Sequence, residues 1–447
     1  MGRTWIHNAN IVNEGRVFNG SLVIDGSRIE QVLLDVSEKP FQPCDNIIDA
    51  DGAYLLPGVI DEHVHFREPG LTRKADIRYE SMAAVAGGVT SIMDMPNTLP
   101  PTVTLDALEQ KRALMADRCL TNYACYFGAT NDNTHFLPLL DRHHVCGIKV
   151  FMGASTGNIL VNNEDALREV FSVQDMLVAT HCESQSVINA NLDRYRPMMD
   201  DDDLPISYHD RIRTPEACLR STTQAIRLAM ELHTHLHILH VSTVAELRYF
   251  NSLDLSKKNI TAEACTGYLL FSSADLKKKG SMIKVNPALK PNSNCDALRH
   301  AIVKGKIDTI ATDHAPHLFR EKLGGALKAA SGMPIIQFSL ICLLELVSKD
   351  IFTLPLLVEK MCHAPALLYK IKDRGFIRPG YKADLVLVKD DNLHIISNTE
   401  VLSKCRWTPL NGDRVHWKVM KTFVNGREVY DGEKVDESYR GEELYFR

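Results

Sequence analysis

A chain of 447 residues, 45% hydrophobic and 24% charged, has the make-up of an ordinary globular enzyme and the length for one large barrel plus an accessory unit. Its formal charge of −5, with acids and bases interspersed, leaves no basic stripe for nucleic acid, and no apolar run is long enough to span a membrane. The 11 cysteines form no CxxC pair or compact disulfide framework, and MGRTWIHNANIV lacks the apolar core of a signal peptide, so a reducing cytoplasm is the expected setting.

The first 55 residues read as short strands and turns: TWIHNANIV, a turn at Asn13–Gly15, SLVIDG and RIEQVLL. Pro57–Gly58 marks a boundary, after which short apolar runs alternate with helical patterns. The run ending at His65 is followed by TSIMDM, NYACYFGAT, GIKVFM, LVATHC, HLHILHVS, TAEAC and DTIATD, eight in all. Strands alternating with helices imply parallel βαβ units, and eight of them a (β/α)8 TIM barrel. Beyond about residue 375 the strand and hairpin style returns, with Asn425–Gly426 a strong turn signal. The expected α/β architecture is a barrel over residues 56–375 and a small composite β-sandwich domain from residues 1–55 and 376–447.

The stretch DEHVHFREPG places His63 and His65 two residues apart, so both project from one face at the carboxyl end of the first barrel strand. Three other runs end in the same way, in His181, His240 and Asp313. Residues at strand ends converge on one rim, and four histidines with a carboxylate suit zinc or a similar divalent ion. His235 and His237 lie earlier in their run and on the opposite parity from His240, so they read as structural or surface residues. Lys149 lies inside the apolar run CGIKVFM. A buried ammonium there is costly, and a neutral amine is free to react with carbon dioxide. The resulting carbamate, an N6-carboxylysine, is an anion suited to bridging two metal ions. Two divalent ions bring +4; carbamate, Asp313 and a bridging hydroxide bring −3; the residual +1 would stabilise the oxyanion formed when hydroxide attacks an amide carbon.

HVHF, GIKVFM, ATHCES, LHILHVS and ATDHAPH, in this order and spacing, resemble the cyclic amidohydrolases of the amidohydrolase superfamily. The likeness runs from about Gly52 through RGFIRPGYKADLVLV. It implies a barrel with a composite β domain, His63, His65 and Asp313 on one zinc, His181 and His240 on a second, and carboxylated Lys149 bridging them. Within the group, FREPG, DMPNT and DHAPH resemble the dihydroorotases, which interconvert L-dihydroorotate and N-carbamoyl-L-aspartate in pyrimidine biosynthesis. That substrate carries an exocyclic carboxylate, which the planar fork of Arg67 can hold. By resemblance Asn97 and His317 complete the carboxylate pocket, and Asn286 contacts the ring. The expected chemistry is attack of the bridging hydroxide on the ring amide, with Asp313 carrying the proton to the leaving nitrogen. The family also implies a small-molecule substrate only, and a homodimer.

Some positions depart from the pattern. CTGYL puts Tyr268 where the family often has a histidine, and PALK ends in Lys290 where it often has arginine. Many close dihydroorotases lack the bridging lysine, so Lys149 aligns the chain with the carbamate-using branch. The small polar segment GASTGN, Gly153 to Asn158, has the make-up of a mobile lid. Three rivals stand: a dihydropyrimidinase or hydantoinase acting on a neutral ring, an allantoinase, and a non-catalytic scaffold. Arg67 opposes the first two. The presence of all six ligand candidates opposes the third.

Overall fold

A computed structural model of the protein describes residues 2–35, 37–153 and 159–447. Turn chemistry sets the first strands. β1 (Thr4–Asn13) and β2 (Arg16–Asp25) form an antiparallel hairpin whose two turn residues, Glu14 and Gly15, have φ of 49° and 78°. Two successive left-handed residues match the right-handed twist of the flanking strands. β3 (Arg28–Leu33) pairs with β2, while β4 (Asn46–Asp49) and β5 (Tyr54–Pro57) lie parallel to successive parts of β1.

Eight strands then follow: β6 (Val59–Val64), β7 (Val89–Asp94), β8 (Asn122–Gly128), β9 (Val145–Phe151), β10 (Val178–His181), β11 (Leu236–Ile238), β12 (Ile260–Cys265) and β13 (Thr309–Ala311). They pair in sequence order, all parallel. Every residue of β6 through β10 is buried, as expected of strands covered on both faces. The intervening helices start at sequence-encoded caps: Asp76 accepts from the Tyr79 amide ahead of Ile77–Ala86, and Thr104 from the Ala107 amide ahead of Leu105–Arg118. The ring closes between its first and last strands. His65 N donates to His314 O at 2.8 Å, and Asp61 accepts from the Thr312 amide at 3.1 Å and the Thr312 hydroxyl at 2.6 Å. Asp61 thus ties together the two strand ends that carry His63 and Asp313.

The chain ends with β14 (Leu385–Ile395), β15 (Arg414–Val424) and β16 (Arg427–Tyr430). Asn425 and Gly426, at φ of 49° and 78°, turn β15 into β16, where the sequence placed that turn. These strands join the first five in one eight-stranded sheet of order β16-β15-β14-β5-β1-β2-β3, with β4 also on β1. Ile6, Ile11, Leu22, Leu55, Leu385 and Phe423, from both ends of the chain, share its core. Among the described residues no helix is long and apolar enough to cross a membrane. Ala154–Asn158, the greater part of the segment read as a lid, lies outside the described residues.

Candidate metal centre

The carboxyl ends of β6, β9 and β10, with the residues just beyond β11 and β13, bring His63, Lys149, His181, His240 and Asp313 to one cavity. His65, Arg67, Asn97 and Asn286 line the same cavity. Two groups of donor atoms are visible. Asp313 Oδ1 lies 3.4 Å from His63 Nε2 and 3.1 Å from His65 Nε2. His181 Nδ1 lies 2.9 Å from His240 Nε2. The His63 and His240 ring centroids are 5.4 Å apart, so the groups adjoin. Arg67, His240 and Asp313 all have left-handed backbones, at φ of 68°, 38° and 49°. Non-glycine residues seldom adopt that conformation, and it clusters where structure holds a functional side chain in place.

This donor set fits divalent ions. Three imidazoles are anchored through the nitrogen that faces away from their group. His63 Nδ1 donates to Glu263 Oε1 at 2.9 Å, His65 Nδ1 to Asn97 Oδ1 at 2.7 Å, and His181 Nε2 to Glu183 Oε2 at 3.1 Å. Each anchor fixes a tautomer that leaves a lone pair toward the centre. Burial holds His65 down to about 3, and it also holds His181 below and His240 well below the ordinary imidazole value. Those three rings are therefore neutral at pH 7, the form that binds metal. Burial would raise the Asp313 carboxyl, but His63 and His65 beside it prevail and hold it below the usual aspartate value. Lys149 is buried, with Nζ 4.7 Å from the Phe151 ring centroid, and burial lowers its amine to about 8.

The anchors are what the sequence left hidden. Asn97, assigned by resemblance to a carboxylate pocket, holds the His65 ring. Replacing it by alanine is expected to weaken metal affinity about 10- to 100-fold, read by competition with a chelator. A role confined to substrate would leave that affinity unchanged.

Arg67 does not pair with Glu68, which instead accepts from Arg118 and from the Ile77 amide. The turn that aims Arg67 inward needs Gly70: its φ is +82°, and a Cβ there would sit 1.7 Å from Leu99 O. Arg67 Nε donates to Pro316 O at 3.2 Å, and the guanidinium reaches His317, with Nη2 3.1 Å from His317 Nε2. Burial lowers Arg67 to about 10, which still leaves it charged at pH 7. Lys74 Nζ lies 3.0 Å from His317 Nδ1 and, being an ammonium, can only donate to it. The proton of neutral His317 therefore sits on Nε2, 3.0 Å from Ser331 O. His317 Nε2 thus donates to Ser331 O, and Arg67 is the charged donor of the two that lines the cavity. Lys74 was not legible as part of this pair. Asn286 Oδ1 accepts from the Ser331 hydroxyl at 3.1 Å, and Tyr268 donates to Pro287 O at 2.7 Å, steadying the same loop.

Residues 54–429 match the amidohydrolase family. The chain belongs to that family. This amidohydrolase is a hydrolase, and its ligand candidates accord with a family whose members are typically metal-dependent. It is 32% identical over 430 residues to a dihydroorotase of Halobacterium salinarum, covering 95% of this chain and 96% of the relative. A dihydroorotase of Methanosarcina acetivorans is 31% identical over 420 residues, with 91% and 88% covered. Among solved structures, the amidohydrolase resembles the L-hydantoinase (dihydropyrimidinase) of Arthrobacter aurescens, with TM-score 0.91, 25% identity and 97% of both chains covered. It also resembles the dihydropyrimidinase of Brevibacillus agri, with TM-score 0.86, 25% identity and coverage of 97% and 96%.

Proposed function

We propose that this amidohydrolase is a dihydroorotase, hydrolysing the ring amide of L-dihydroorotate reversibly to N-carbamoyl-L-aspartate. The observation that carries this reading is Arg67, a buried guanidinium that lines the same cavity as the ligand cluster. A ring bearing a carboxylate supplies an anionic acceptor for the guanidinium, whereas a neutral ring would leave that buried cation without a counter-ion. His63, His65 and Asp313 would hold one zinc ion, His181 and His240 a second, and carboxylated Lys149 would bridge them. When bound, the two ions would lower the pKa of a water molecule and polarise the scissile carbonyl.

The protein's own groups do the rest. Arg67, with His317 beside it, fixes the substrate carboxylate and hence the face that the ring amide turns to the ligand cluster. Asp313, kept ionised by its histidine neighbours, takes the proton of the attacking oxygen and delivers it to the departing ring nitrogen as the C–N bond breaks. Glu263, Asn97 and Glu183 hold the ligand rings still during these steps.

Side-by-side hydrolysis of L-dihydroorotate, dihydrouracil, hydantoin and allantoin by zinc-loaded protein tests the reading. Turnover of dihydroorotate alone is expected. Preferential turnover of a neutral ring would replace the assignment with the hydantoinase-type function that the solved neighbours carry in their names.

Carboxylation of Lys149 has its own signature. An amine held at about 8 is mostly protonated and inert at about pH 6.5 and mostly neutral at about pH 8.5. In metal-free protein at fixed dissolved carbon dioxide, the carbamate should therefore form about 25-fold faster at the higher pH. NMR of isotopically labelled carbon dioxide would read that rate. A rate that does not change with pH would count against a reactive neutral amine.

A further inference from the structure

Beneath the rim, inside the barrel, lies a second group of polar atoms that the proposed reaction does not use. Both carboxylate oxygens of Glu62, Oε2 of Glu263 and Nε2 of His237 are buried without a hydrogen-bond partner. All three residues are wholly inaccessible, and their ligand atoms lie within 4.8 Å of one another. They come from β6, β11 and β12, so three separate strands converge there.

The His237 tautomer is set from outside the group. Thr261 Oγ1 donates to Leu236 O at 3.2 Å, so its oxygen must accept from His237 Nδ1, 2.8 Å away. The proton is therefore on Nδ1, and Nε2 presents a bare lone pair to the two carboxylates. With both carboxylates ionised, the three side chains present only acceptors to one another. A single shared proton bridges two carboxylate oxygens and leaves the imidazole lone pair bare. A water molecule has two hydrogens for more than two acceptors and neutralises neither charge. A cation satisfies all three side chains at once and balances both carboxylates.

We propose that Glu62, His237 and Glu263 form a third metal site, distinct from the rim centre, which binds one divalent ion of the zinc class inside the barrel. Two carboxylates and one neutral imidazole are zinc-type ligands, which hold the ion at about 2.0–2.2 Å. The Thr309 hydroxyl, within reach of Glu62, offers a further oxygen. The site is wired to the rim. The other oxygen of Glu263, Oε1, accepts from His63 Nδ1 at 2.9 Å and from the His240 amide at 2.8 Å. An ion on Oε2 would draw electron density from the carboxylate that orients His63, and so tune that ring as a ligand.

Anomalous diffraction at the zinc edge, on crystals of protein expressed in zinc-supplemented medium, tests the proposal by position. The expected result is a peak bonded to Glu62 and His237 Nε2 in the wild type, absent from Glu62→Gln while the rim peaks persist. The metal content should correspondingly fall by one ion per chain. His237→Gln provides a second route to the same loss if Glu62→Gln does not fold. A cluster holding only water, or a direct contact between the two glutamates, overturns the proposal whatever the rim contains. An empty rim above a filled cluster would instead reject the binuclear reading and leave the third site standing.

Discussion

Asp313→Asn is expected to lower kcat for L-dihydroorotate by about 10²–10⁴-fold, the usual contribution of a positioned general base. The exchange keeps an oxygen close to where Asp313 Oδ1 now meets the His63 and His65 rings, so ligand geometry changes little. What disappears is a carboxylate held ionised and able to accept a proton. Metal content measured on the same sample separates the two roles. Full metal with lost turnover assigns the proton transfer to Asp313, and parallel loss of both would make it a ligand alone. Retained turnover with full metal would require another base.

Arg67→Met should cut kcat/KM for dihydroorotate by about 30-fold to several thousand-fold, corresponding to about 2–5 kcal/mol for one partner of a buried, hydrogen-bonded charge pair. The side chain is 2% exposed, so water can offer the substrate carboxylate little in compensation. Arg67→Lys keeps the charge but loses the fork, and should recover only part of the loss. Any activity on neutral rings should be unaffected by either change. An Arg67→Met enzyme with undiminished dihydroorotate turnover would sink the carboxylate-pocket reading.

The barrel and its candidate ligands were legible for a physical reason. Each candidate ligand other than Lys149 closes or follows an apolar run, and in a parallel barrel all such positions meet at one rim. Lys149 stood out because an amine in CGIKVFM has no obvious solvation. The anchors were not legible by the same route. Glu263 lies in TAEAC, 200 residues from the His63 ring it holds, and no spacing rule connects them. Lys74 reads as an ordinary charge in a polar loop until His317 is folded against it.

His237 shows where a local rule gave way. Side-chain alternation from His240 back to His237 would hold only along continuous strand, but β11 stops at Ile238, and His240 has a left-handed backbone with φ of 38°. The parity therefore resets between them, and His237 points into the barrel rather than toward solvent. His235, just before the strand, is exposed, in line with its reading as a surface residue.

The position of β5 has a consequence for biosynthesis. One edge of β5 pairs with β1, but the other waits for β14, with Pro57 opposite Leu385. A ribosome must add some 330 residues before that partner emerges, roughly 15–65 s at about 5–20 residues per second. Throughout that interval the nascent chain carries an open, apolar strand edge of the kind that recruits other chains. Slowed translation or a premature stop within the barrel would therefore tell first as aggregation of the N-terminal strands, before any loss of the barrel's own stability.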